Sequence, residues 1–261
     1  MQLIAVACEP VPQEKGLNGW TMDLLVERLK QRGIATMSRS QVNRILLHYE
    51  LQPHRQKGWL HSPDPLFRPK VAEIVDLYLH PPADSTVVSV DEKPGMQAVE
   101  RKYPGRLAHP GQLARWEFEY IRHGTLTMIA SLNIQTGDVF AQNGPTRKAE
   151  DLITFMEALA AEVPGTVHVI WDNLNTHKGK RWEEFNERHG GRFHFHYTPI
   201  HASWVNQIEI WFSILQRRCL RKRSFVSVKE LLETVEAFLA HWNSVDKHPF
   251  KWTFAGFKEQ P

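Results

Sequence analysis

The spacing of apolar residues changes near residue 83. Before it they recur every three or four positions, as in Leu24, Leu25 and Leu29, then Val42, Ile45, Leu46 and Tyr49. That is the period of helices with one buried face. After it come short, nearly continuous apolar runs, Thr86 to Val90 and Val167 to Trp171 among them, as expected of strands covered on both sides.

Taken in order, residues 1 to 19 carry little pattern and read as a tail or a remnant. Thr21 caps a predicted helix that runs to Gly33 with Asp23 in its first turn. After a turn at Ile34 to Met37, Ser38-Arg39-Ser40-Gln41 has the form of a capping box that opens a second helix. Helix, short turn and capped helix over 20–51 form a helix-turn-helix pattern whose second helix would enter a major groove. Its candidate DNA contacts are Arg39, Gln41, Asn43, Arg44 and His48, with Arg55 and Lys57 just beyond; an ordinary helical hairpin is the alternative. Residues 52–82 read as a linker and short helix: 52 to 70 are rich in proline and basic residues, and a helix at Val71 to Leu79 follows that Pro81-Pro82 stops.

From 83 to 261 the pattern predicts an α/β domain, a mixed sheet with flanking helices. A first strand ends at Asp91, and an irregular insert occupies 94 to 114. Strands at 125–133 and 138–142 flank Gln135-Thr136-Gly137 as a hairpin. Helix 148–163, strand 167–171, helix 180–189 and strand 192–197 follow. Ser203 then caps a helix with the stripe Trp204, Val205, Ile208, Trp211, Phe212 and Leu215, and Ser227-Val228-Lys229-Glu230 reads as the capping box of another. The aromatic segment 249–254 is expected to fold back on the core.

Two of the apolar runs end on an aspartate, Asp91 and Asp172, and Glu209 sits at the margin of the later helical stripe. Cutting a phosphodiester needs a nucleophile, charge neutralisation at phosphorus and a stabilised leaving oxygen. Two Mg²⁺ (or Mn²⁺) ions about 3.5 to 4 Å apart supply all three and take hard oxygen ligands. Asp91 is assigned as the ligand bridging both ions, Asp172 as a ligand of one and Glu209 of the other. Each has a plainer role available, as loop cap, turn or solvated residue; the ordered set carries the reading. Asn173, His177 and Asn206 are candidates for surrounding contacts. Glu92 is expected on the opposite sheet face and is not assigned.

Composition changes this picture little. A net charge of +3 over 261 residues is mild, but basic residues cluster at 28–57 and again at Arg217, Arg218, Arg221, Lys222 and Arg223, suiting a phosphate backbone. Two cysteines, Cys8 and Cys219, form neither a disulfide framework nor a paired zinc motif. No run approaches the roughly 18 apolar residues of a membrane span, and Met1 to Cys8 is too short for a signal peptide. A cytoplasmic protein is expected.

Val90-Asp91-Glu92-Lys93, Gly124-Thr125 with Thr136-Gly137, Trp171-Asp172-Asn173 with Thr176-His177, and Ser203 through Glu209 resemble, in kind and order, the motifs of bacterial insertion-sequence transposases of the mariner superfamily. The resemblance covers about residues 20 to 254. It implies a ribonuclease-H-like catalytic domain whose DDE triad falls on Asp91, Asp172 and Glu209, the last 37 residues after the second. It further implies cutting at terminal inverted repeats of double-stranded DNA and joining of the freed 3′-hydroxyl to target DNA. The partner expectation is a homodimer or higher oligomer on DNA, nucleoid-associated when bound. Such transposases usually carry two helix-turn-helix units, and only one is found here, so a catalytically inactive or truncated DNA-binding remnant is the alternative. A ribonuclease-H-like nuclease acting on RNA or hybrids is a third.

Overall fold

The computed structural model describes residues 2–13, 16–55 and 62–254, which fall into two compact units, Met1–Leu60 and His61–Pro261. Lys57 lies outside the described residues.

The first unit holds three helices, α1 (Gln2–Ala7), α2 (Met22–Gln31) and α3 (Arg39–His48). The segment expected to be a tail therefore contributes a helix. Its Leu3, Val6 and Ala7 are buried with Trp20, Leu24, Leu25, Leu29, Val42 and Leu46 in one apolar cluster. Six residues are too few to show a period or to hold a helix alone, so packing stabilises α1. Thr21 caps α2 by accepting from the Leu24 amide at 3.1 Å. The box on α3 forms in both directions: Ser38 Oγ accepts from the Gln41 amide, and Gln41 Oε1 from the Ser38 amide at 2.8 Å. Tyr49, expected on the buried face, is the residue that ends α3 and is 52% exposed.

The second unit opens with α4 (Phe67–Leu79) and is built on a five-stranded sheet. Its strands are β1 (Ser85–Arg101), β2 (Tyr120–Asn133), β3 (Val139–Gly144), β4 (Thr166–Trp171) and β5 (Phe193–Tyr197), in the order β3-β2-β1-β4-β5. The β1–β2 and β2–β3 pairs are antiparallel, and β4 and β5 run parallel to β1, so the expected mixed sheet is what forms. The first strand, however, does not stop at Asp91. It continues to Arg101, and Pro94 falls at a register shift between Lys93 and Met96, where a missing N–H interrupts no ladder bond.

Helices α5 (Ala149–Glu162) and α6 (Lys180–Arg188) cover one face, setting Phe155, Met156, Leu159, Trp182 and Phe185 against Val88, Val90, Val169 and Trp171. On the other face α7 (Ile208–Leu215) and α8 (Val228–His241) place Trp211, Phe212, Leu215, Leu231 and Val235 against Met128, Ala130 and Leu132. Helix α4, which the sequence pattern assigns to the linker, packs Val71, Ile74, Val75 and Tyr78 on Val87 and Ile170. Phe250, Trp252 and Phe254 fold back on this core. No described helix is long and apolar enough to cross a membrane.

The β2–β3 turn depends on Gly137. Its φ is +80°, and a Cβ there would lie 2.2 Å from the His248 carbonyl oxygen, while its own carbonyl accepts from Trp242 Nε1 at 2.9 Å. Gly137→Ala is expected to cost about 2 kcal/mol or more and to lower the melting midpoint by about 5 °C or more. Gly191→Ala, also at positive φ (+74°) but with open space around it, should cost about half as much. Thermal unfolding of the two variants checks the difference.

Candidate active site

Strand register brings the first two carboxylates together. β1 and β4 pair in parallel from Ser85 opposite Thr166 to Ser89 opposite Ile170. The pairing stops there and β4 ends at Trp171, so Asp172 lies just past the strand end, near enough to β1 for its charge to act on Asp91. Asp91 is buried, 8% exposed. Its Oδ1 accepts from the Glu92 amide at 2.8 Å and its Oδ2 from Asn206 Nδ2 at 3.2 Å.

Asn206 is why the third carboxylate sits where it does. Its extended backbone (φ −78°, ψ 110°) separates a single turn at Ser203–Val205 from α7, and its side chain also donates to the Val90 carbonyl at 3.0 Å. The helix expected from Ser203 therefore begins at Ile208, and Trp204 leaves the buried stripe, 47% exposed. Glu209 falls in the first turn of α7, exposed, where the positive end of the helix dipole favours a negative charge. With Lys93, Phe212, Gln216 and Arg217 it lines a cavity of about 520 Å³.

These charges act on one another. Burial, chiefly, and then the charges of Asp172, Glu92 and Glu209 push the Asp91 carboxyl up to about 7, against the opposing Glu92 amide bond. Burial lowers the Lys93 ammonium from its usual value, with Glu209 opposing.

His177 is fully buried, its ring stacked on Trp171 at 4.7 Å and 3°. Its Nδ1 lies 2.7 Å from Asp172 Oδ1, and its Nε2 lies 3.2 Å from Glu92 Oε1. Burial alone would lower its pKa; the bonds to Asp172 and Glu92 outweigh that and raise it to about 10. It is thus an imidazolium bridging two carboxylates. Glu92 does point to the opposite sheet face, as alternation requires, and there it meets His177. Strand period gives the face of a side chain but not which loop will pack there, so sequence reasoning misses this partner. The Leu174 amide also donates to Asp172 Oδ1, at 3.1 Å. Asn173 lines a separate depression of about 290 Å³ beside Asp172.

The three carboxylates are hard oxygen donors whose mutual repulsion a divalent cation would relieve, and in that chemical sense they fit one. Among the described residues, no group of three or more acidic, histidine or cysteine side chains is arranged to hold an ion as it stands.

In the first unit, Arg39, Gln41, Asn43, Arg44, His48 and Arg55 are all exposed. Arg39 is paired with Asp23 at 3.1 Å and the Gln41 oxygen serves the cap, which leaves Asn43, Arg44 and His48 as the residues of α3 most available to a partner.

Known proteins resemble the chain as follows. The family described as DDE superfamily endonuclease matches residues 86–232. No curated protein matches the sequence. Among solved structures, the Mos1 mariner paired end complex with Mn is similar at TM-score 0.59 and 18% identity, over 92% of this chain and 70% of that one. The Mos1 strand transfer complex matches at 0.56 and 19%, over 94% and 70%, and a pre-cleavage Mos1 transpososome at 0.55 and 18%, over 91% and 70%. At such identities the likeness is one of fold.

The Asp91 carboxyl links pH to stability. An acid whose pKa is higher folded than unfolded imposes no penalty below its unfolded value, near 4, and its full penalty only above about 7. In metal-free protein, Asp91→Asn should therefore raise stability at about pH 8 by roughly 2–4 kcal/mol, and change it little at about pH 4. The His177 contribution, fully present below about 6.5 and lost as pH rises through 10, is common to both proteins. Denaturant unfolding at the two pH values in EDTA measures the difference.

Proposed function

The chain belongs to the DDE superfamily endonucleases, and from that premise we propose that it is a DNA transposase. It cuts at the terminal inverted repeats of its element and joins the freed 3′-hydroxyl to target DNA. The observation that supports this reading is that the charges of Asp172, just past the end of β4, and of Glu209 on α7 both act on the buried Asp91 carboxyl of β1.

Asp91, Asp172 and Glu209 would hold Mg²⁺ or Mn²⁺, two ions, which when bound supply charge neutralisation at phosphorus and a nucleophile active at neutral pH. The protein's own groups fix the donors. His177 donates to Asp172 Oδ1 and is itself held by Glu92, while Asn206 orients Asp91 by donating to Oδ2. Lys93 and Arg217, on the cavity that holds Glu209, provide positive charge for a phosphodiester.

Asn43, Arg44 and His48 of α3, with Arg39, Gln41 and Arg55, form the surface for duplex DNA, and Lys57 is proposed as a further contact from the sequence. The Mos1 structures are a paired end complex and a transpososome, which supports the same kind of assembly here, a homodimer or higher oligomer on DNA.

On duplexes carrying the inverted repeats that flank its gene, the purified chain should nick and transfer strands with Mg²⁺ or Mn²⁺. Asp91→Asn, Asp172→Asn and Glu209→Gln should each reduce this by about a thousandfold or more, a loss of roughly 4 kcal/mol of transition-state stabilisation. If wild type and Asp172→Asn behave alike, the reading fails. Glu92→Gln should weaken Mn²⁺ binding by about 10- to 100-fold, measured by calorimetry on protein shown to be folded. Unchanged affinity would remove Glu92 and His177 from the positioning role.

A further inference from the structure

A second groove lies where β1 and β2 extend past the sheet, between that hairpin and the turn Gln216–Leu220 that follows α7. It encloses about 450 Å³. Its charged lining is Arg101, Arg221 and Lys222, with no carboxylate. Nearby acids lie off the lining: Glu100 pairs with His123 at 2.7 Å, Glu119 with Lys102 at 2.7 Å, and Glu117 accepts from the Phe118 and Glu119 amides.

Arg101 is held in place before any ligand arrives. Its guanidinium lies over the Trp116 ring at 4.8 Å and the Tyr120 ring at 5.5 Å, a geometry that favours arginine over lysine. Its Nη1 donates to the Phe118 carbonyl at 3.5 Å, and its buried Nε has no hydrogen-bond partner among the described residues. Trp116 and Tyr120 remain 37% and 42% exposed and can take a base. Gln216 lines both this groove and the cavity that holds Glu209, so the two adjoin.

We propose that this groove binds the sugar-phosphate backbone of a single DNA strand leaving the cleavage point, with Arg101 as its central phosphate contact. The inference rests on the DNA-cutting reading above. The groove's volume suits a nucleotide or two of one strand and not a duplex, and a fixed guanidinium loses little entropy on meeting a phosphate.

The test uses the full chain in EDTA, by fluorescence anisotropy on the element-end duplex, either blunt or carrying a single-stranded overhang of a few nucleotides. The overhang should tighten wild-type binding by about tenfold. Arg101→Ala should remove that gain and leave blunt-duplex affinity within about twofold, and the overhang's salt dependence should shrink by roughly 0.7 in slope for each phosphate no longer neutralised. The exposed pair Arg221→Gln and Lys222→Gln makes the same test on surface residues if Arg101→Ala does not fold. Asp172→Asn should keep the gain, so absence of cleavage and absence of this site give different results. An overhang gain equal in wild type and both variants overturns the proposal. So does a gain abolished in wild type by millimolar inorganic phosphate at constant ionic strength, which would make the groove a site for free phosphate.

Discussion

The second unit is arranged around a repulsion. Asp91 lies on β1 and Asp172 just past the end of β4, close enough for the charge of Asp172 to act on the Asp91 carboxyl. Burial is the larger cause of the rise of the Asp91 carboxyl to about 7, and the charges of Asp172, Glu92 and Glu209 add to it. The surrounding structure relieves only part of it. His177 carries a positive charge between Asp172 and Glu92, and Lys93 shares a cavity with Glu209. With Arg217 on the same cavity, three cations face four carboxylates, and a divalent cation would relieve the repulsion that remains.

How much of this can be read in the amino-acid sequence differs from residue to residue. Asp172 is legible because β4 does stop at Trp171. Asp91 is singled out by a strand end that does not exist; what makes the position special is its burial near the end of β4, which follows from strand pairing that local pattern does not encode. The apolar stripe puts Glu209 at a helix margin, but its position follows from the break at Asn206, whose side chain bonds Asp91 and Val90 instead of continuing the helix. That break is a tertiary effect and overrides the stripe beginning at Trp204. The Glu92–His177 contact spans 85 residues and joins a strand to a loop, so no periodicity could reveal it.

Similar limits apply to α1 and to the basic cluster after α7. In α1 the spacing of Leu3, Val6 and Ala7 is helical but spans barely more than one turn. Among the five basic residues, sequence proximity suggests a single patch. The fold separates them: Arg218 pairs with Asp246 at 2.7 Å, Arg217 lines the Glu209 cavity, Arg221 and Lys222 line the second groove, and Arg223 lies over the Phe225 ring at 5.8 Å.

Pro94-Gly95 explains how one strand serves two sites. From Val87 to Glu92 β1 is buried on both faces, as a carboxylate at a controlled depth requires; beyond Lys93 it must leave the core to build an exposed ribbon. A bulge permits that change of direction without ending the strand, and proline is tolerated there because the ladder is already interrupted. A two-stranded ribbon is marginal by itself. Arg101 and Tyr120 face each other across it in register, and stacking of the guanidinium on Tyr120 and Trp116 supplies the missing cross-strand cohesion. The same guanidinium that stabilises the ribbon is thus the group kept ready for a phosphate, ten residues along the same strand from Asp91, so that the groove and the carboxylates are tied by continuous backbone.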